Sequence, residues 1–251
     1  MGRRAFPTTG VLILTVSSSP FHFLDTNVLL KHANNDSGDA SEDIERILNE
    51  AAYGRRKLWV SSILYAELRP SAFIPSGRFP NLDRFVAYVS GVTTTVSPTP
   101  ETMLRAARLR DLLWIRPPDI RARDEKARYM TLGDSIHLAT ALWVKEALDI
   151  GDELEFLTFD DGKAKTLETE ESKKSLSILR MQDYTHDIAD NPDVIAVVAL
   201  KRIKPFLVNS TLASLSAPSQ ISAPSATQVG APKSSATVQS PSGAPLNPPK
   251  V

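Results

Sequence analysis

Between residues 21 and 205, short apolar runs alternate with amphipathic stripes, and no other feature constrains the fold of this chain as strongly. Residues 21–24 are an apolar run that closes on Asp25-Thr26-Asn27, a strand handing over to a helix. Residues 41–53 place Ile44, Ile47, Leu48 and Ala51 at the i, i+3, i+4, i+7 spacing of a helix, with Asp39 or Ser41 suited to cap it. Residues 58–60 read as a second strand, with Ser61 or Ser62 to cap a helix over 63–68 that Pro70 ends.

Helical patterns follow at 82–89, at 101–113 after Pro98 and Pro100, and at 134–148 with Ile136, Ala139, Thr140, Trp143, Val144 and Ala147 turned inward. Strands are expected at 92–96, 154–158 and 177–180, and a short helix at 164–172. Such alternation predicts an α/β fold of three layers, a central mostly parallel sheet flanked by helices. In that architecture a ligand site lies beyond the C-terminal ends of the strands.

The flanks read differently. Residues 209–251 hold 10 Ser, 7 Pro and 7 Ala with only Lys233 and Lys250 charged, too little apolar surface to offset the entropy of ordering. That tail is expected to be disordered, as a tether or an adhesive segment. At the other end Arg3 and Arg4 precede the apolar run 11–16, shorter than the core of about 7–15 residues of an export signal and without a clear Ala-x-Ala cleavage site. It fits an edge strand or an unstructured extension. The expected organisation is an extension over 1–20, one domain over 21–182, a segment over 183–208 packing on that domain or on a partner, and the tail over 209–251. In 183–208 the apolar run 194–200 needs covering, by the body itself or by a second copy.

Zero cysteine excludes a disulfide scaffold, a thiolate metal site and a cysteine nucleophile. No apolar run approaches about 18 residues, so no membrane span is expected. No Gly-rich phosphate loop is present. Overall charge is balanced at 29 basic and 29 acidic residues, and the body is slightly acidic once the tail lysines are set aside.

Four acids fall at equivalent places in this pattern. Asp25 and Asp160 end strands, Glu67 sits in the helix after the second strand, and Asp134 opens a helix. Capping or turn formation accounts for any one of them, and a local arginine could pair with Glu67, whose neighbours Leu64, Ala66 and Leu68 make an unpaired carboxylate costly. Four carboxylates converging on one sheet edge, with no Cys and few His, suit Mg²⁺ or Mn²⁺ and the hydrolysis of a phosphodiester.

The segments Phe23-Leu24-Asp25-Thr26-Asn27-Val28-Leu29, Ser61-Ser62-Ile63-Leu64-Tyr65-Ala66-Glu67-Leu68, Gly133-Asp134-Ser135-Ile136-His137-Leu138-Ala139-Thr140-Ala141-Leu142 and Phe156-Leu157-Thr158-Phe159-Asp160 resemble, in order, the motifs of PIN-domain nucleases. The resemblance covers about 21–180 and is closest to the VapC-like toxins of type II toxin–antitoxin systems. It implies a PIN-like fold and a cytoplasmic, metal-dependent endoribonuclease that leaves a 5′-phosphate and a 3′-hydroxyl. Asp25, Glu67, Asp134 and Asp160 would bind one or two Mg²⁺ or Mn²⁺ ions, supported by Asn27 and Thr158. It further implies a homodimer and a cognate antitoxin. The chain is longer than the compact toxins, which leaves open a free-standing PIN nuclease in RNA processing, or a PIN-like interaction domain without catalysis. Asp161 is the alternative to Asp160; the spacing from Thr158 favours Asp160. A haloacid dehalogenase phosphatase is disfavoured because Asn27 stands where its second aspartate is required.

Eight basic residues between 105 and 128 face four acids. Of these, Arg105, Arg108, Arg116, Arg121, Arg123 and Arg128 are the candidates for neutralising RNA phosphates, against the alternative of a solvated helix face with local ion pairs. Trp114 beside them is expected to pack rather than stack on a base. Trp59 and Trp143 are expected in the core. His137, one helical turn beyond Asp134, is expected to be a hydrogen-bonded structural residue, and His22 and His32 to be incidental.

Overall fold

The structure, a computed structural model, describes residues 19–36, 38–72, 77–123, 125–161 and 175–206. Residues 1–18 of the extension, the helix expected at 164–172, and residues 207–251, including the whole tail over 209–251, lie outside the described residues.

The chain runs β1 (Phe21–Leu24), α1 (Thr26–Ala33), α2 (Ser41–Ala52), β2 (Lys57–Ser61), α3 (Ile63–Glu67), α4 (Leu82–Val92), β3 (Thr94–Val96), α5 (Pro100–Asp111), α6 (Leu132–Ala147), β4 (Leu154–Leu157), α7 (Pro192–Ala199) and β5 (Lys201–Ile203). All five strands are parallel, in the order β3-β2-β1-β4-β5. Side chains alternate across the sheet as period-2 geometry requires. Phe23, Trp59 and Phe156 join one core with Leu109, Trp114, Leu138 and Val197. Leu24, Leu58, Val60 and Leu157 join the other with Val28, Ile44, Ile47, Phe85 and Val89. Burial on both faces explains why β1, β2 and β4 read as nearly continuous apolar runs.

The chain leaves β1 for β2 and β3 on one side, then crosses back to β4 and β5 on the other. The order therefore reverses between β1 and β4, whose C-terminal ends form the switch point where open α/β sheets bind ligands.

Several expectations need correction. No strand forms at 177–180; the amides of Ile178 and Leu179 bond instead to the side chain and carbonyl of Asp160. The fifth strand comes from Lys201–Ile203, which pairs with β4. Its preceding helix α7 packs on α5 and α6, burying Val194, Val197 and Leu200 and leaving Ile195 55% exposed. Trp143 is 37% exposed, because α6 buries its sides toward β2, α3, α5 and α7 while Trp143 faces outward beside Arg105 and Glu146. At the start of α2 a 3-10 turn, Gly38–Ala40, runs directly into the helix, with Ala40 at the N-cap and Ser41 in the first turn. Trp114 is fully buried and donates its indole N–H to the Leu109 carbonyl at 3.3 Å, a packing role.

At the N-terminal half of the sheet, His22 is fully buried between strands. Its Nε2 accepts from Arg56 at 2.6 Å, Nδ1 lies 3.5 Å from Glu155, and Glu155 pairs with Lys201. Burial, with Arg56 and Lys201 nearby, pushes the His22 pKa down to about 3. A histidine kept neutral in the fold but protonated when unfolded costs stability as pH falls from about 6.5 to about 3. Urea unfolding across that window is expected to show an acid loss of at most roughly 5 kcal/mol from this residue. His22→Gln should flatten the loss; an unchanged acid limb would refute the assignment. His32, buried and pushed down to about 4, contributes in the same window and leaves a remainder.

Candidate active site at the β1/β4 switch

Asp25 follows β1 and occupies the N-cap position of α1, but its side chain makes no capping bond. Its Oδ2 instead accepts from Asn27 Nδ2 at 2.7 Å and from the Thr158 hydroxyl at 2.6 Å. Thr158, fully buried just beyond β4, also accepts from Asn27 Nδ2 and from the Asp160 amide. Asn27 Oδ1 accepts from the Phe159 amide at 3.0 Å. Asn27 and Thr158 thus tie the end of β1 to the end of β4 and fix both aspartates on that seam.

Asp160 Oδ2 accepts from the Ile178 amide at 3.0 Å, so the turn after 175 anchors it. Its neighbour Asp161 points to Lys204, at 3.0 Å. Asp134 lies in the first turn of α6; Thr131, the N-cap, accepts from the Asp134 amide and donates its hydroxyl to Asp134 Oδ2. Glu67 ends α3. Among the described residues no arginine pairs with it; its Oε2 accepts from the Thr26 hydroxyl and from His137 Nε2 at 2.9 Å.

The electrostatics show that the four acids sense one another. Burial pushes the Asp25 carboxyl above the usual carboxylate range, opposed by His137 and the Thr158 bond and reinforced by the charge of Glu67. Asp134 is raised to about 7, first by burial and then by the charges of Asp25 and Asp160, against the Thr131 bond and His137. Burial works against ionised Glu67 as well, but the His137 and Thr26 bonds outweigh it and hold the carboxyl below its ordinary value. Burial likewise opposes protonated His137, and the Glu67 bond with the charges of Asp25, Glu67 and Asp134 outweighs it, raising the pKa. Negative charges that raise Asp25 and Asp134 in this way would be relieved by a cation.

The donor set fits a hard divalent ion. In Asp25, Glu67 and Asp134, one oxygen is held by protein donors and the other has no hydrogen-bond partner among the described residues. Among the described residues no group of three or more His, Asp or Glu side chains is arranged closely enough to hold a metal ion.

The basic segment is largely taken up by cross-links. Arg105 pairs with Glu146 and Asp193, Arg108 with Asp193, and Arg116 and Arg128 with Glu125. Arg116 also lies over the Tyr184 ring at 4.4 Å. Glu146 is twelve residues along α6 from Asp134, about 18 Å of helix, so Arg105 is held at the far end of that helix from the acids. Arg121 and Arg123 are exposed and carry no ion pair among the described residues.

Thr26 and Gly133 went unnoticed in the sequence as site residues. Their only signal was adjacency, Thr26 to Asp25 and Gly133 to Asp134. No family model matches the chain, and no curated protein matches it. Among the described residues, no helix is long and apolar enough to cross a membrane.

Proposed function

We propose that the chain is a PIN-type endoribonuclease, dependent on Mg²⁺ or Mn²⁺, that hydrolyses RNA phosphodiester bonds. The observation that carries this reading is the set of three carboxylates at the switch point, each pinned through one oxygen with the other left for a cation. Asp25, Glu67, Asp134 and Asp160 would hold the ion. When bound, it supplies Lewis acidity to a water and to the phosphate oxygens. Asn27 and Thr158 keep Asp25 in place, and the amides of the first turn of α6 beside Asp134 favour the negative charge of a phosphate. Of the six candidate arginines, Arg121 and Arg123 are those left to follow the RNA backbone. The resemblance to VapC-like toxins extends the reading to a cytoplasmic toxin, dimeric and held in check by a cognate antitoxin. A free-standing nuclease is the alternative for a chain of this length, and an interaction domain without catalysis is the non-enzyme reading.

A panel of structured and unstructured RNAs incubated with the protein tests this. Cleavage is expected with Mg²⁺ or Mn²⁺, none with EDTA, and products ending in 5′-phosphate and 3′-hydroxyl. Folded protein that neither takes up Mn²⁺ nor cuts any RNA would favour the interaction domain. Light scattering of the purified chain reports on the dimer.

A further inference from the structure

Glu67 is the acid whose own element is least able to hold it. The helix α3 has five residues, Glu67 is the last, and Leu68 beyond it is already extended. With 32% of its side chain exposed, Glu67 would sample several rotamers if only α3 constrained it. Contacts from distant parts of the chain do that instead. Thr26 and His137, 41 and 70 residues away, both donate to Oε2, and the two donors are 3.0 Å from each other. His137 is 1% exposed. From the other side the α6 backbone closes in: a Cβ at Gly133 would lie 1.9 Å from Glu67 Oε1 and 3.2 Å from Cδ.

We propose that Thr26, His137 and Gly133 are positioning residues for Glu67, two donors holding Oε2 and a bare backbone beside Oε1, so that Oε1 alone is presented to a divalent cation. The proposal rests on the nuclease reading for the role of the cation, and on the geometry alone for the placement of Glu67. A carboxylate only accepts, so the bond to Glu67 requires the hydrogen on His137 Nε2. That nitrogen is therefore not a metal ligand while the bond stands. Nδ1 is buried and has no hydrogen-bond partner among the described residues. His137 acts through Glu67, as residues behind metal ligands generally do.

Equilibrium Mn²⁺ binding by the full chain, read by electron paramagnetic resonance of the free ion, separates this from a packing role. His137→Leu and Thr26→Val are expected to weaken binding about 10–100-fold. His137→Gln and Thr26→Ser, which keep a donor near the same place, should stay within about 3-fold of wild type. Gly133→Ala puts a better helix former into α6, so the Tm of the metal-free protein should hold or rise while Mn²⁺ binding falls like that of His137→Leu. Wild-type binding by His137→Leu or by Gly133→Ala overturns the proposal. So does a loss in His137→Leu that His137→Gln shares, with both following a lowered Tm.

If wild type takes up no Mn²⁺, the nuclease reading falls first. The positioning of Glu67 is then decided by unfolding of Glu67→Ala, His137→Leu and the double variant. Tm losses that fail to add support the contact, and losses that add overturn it.

Discussion

Asp25→Asn is expected to reduce metal-dependent RNA cleavage by more than about 100-fold while leaving the fold intact. Losing a residue behind a metal ligand typically costs about 10–100-fold, and Asp25 is proposed as a ligand itself. The substitution is close to isosteric, and its geometry can be worked out. Asn27 Nδ2 and the Thr158 hydroxyl both donate to Asp25 Oδ2, so an asparagine must turn its oxygen toward them. Its NH₂ then occupies the place of the oxygen left for a cation. Both bonds survive, and the ligand is replaced by a donor that repels a cation.

Stability should move the other way. The Asp25 carboxyl is raised in the fold, mainly by burial, above its unfolded value, so the unfolded state releases its proton first as pH rises. The ionised group therefore costs the metal-free protein stability at neutral pH, and Asp25→Asn removes that cost. The metal-free variant should unfold at an equal or higher Tm than wild type. Added Mn²⁺ should raise the Tm of wild type and leave the variant unmoved. Cleavage that persists in the variant would sink the assignment of the site.

A second large effect separates two adjacent acids. Asp160→Asn is expected to cost about 100-fold or more in cleavage, and Asp161→Ala less than about 3-fold. The amide oxygen of an asparagine at 160 can still accept from the Ile178 amide, so the anchoring turn is retained and the loss falls on the carboxylate charge. Asp161 is committed to Lys204 at the end of β5, a part-exposed ion pair worth about 0–1 kcal/mol. Parallel assays of the two variants, each checked for an unchanged Tm, decide the matter. The reverse ranking would make Asp161 the fourth acid.

The legible part of this fold was local. The spacing of Ile44, Ile47 and Leu48 shows one buried face of α2, and the run at 21–24 is β1 to the residue. Pro100 sits in the first turn of α5 behind the cap Thr99. Misreadings came where a segment was apolar for a reason other than its own periodicity. The stretch at 177–180 looks like a strand, yet its amides bond to Asp160. Trp143 sits on a helix so widely buried that the outward position is also apolar in sequence. That Arg105 and Arg108 are paired is not legible in the sequence, because their acidic partners Glu146 and Asp193 lie far along the chain.

From sequence alone came the alternating elements, the parallel sheet they require, and the placement of Asp25, Glu67, Asp134 and Asp160 beside strand ends and helix starts. Periodicity and capping operate within a few residues, so a linear reading captures them. Tertiary structure alone decided which oxygen of each carboxylate is held, that Thr26 and His137 take Glu67, that a Cβ at Gly133 would meet Glu67 Oε1, and that Lys201–Ile203 completes the sheet. The contacts of Glu67 with Thr26, His137 and Gly133, and the pairing of Lys201–Ile203 with β4, join residues more than forty positions apart, where local propensity carries no information and only the packing of the whole domain selects a partner.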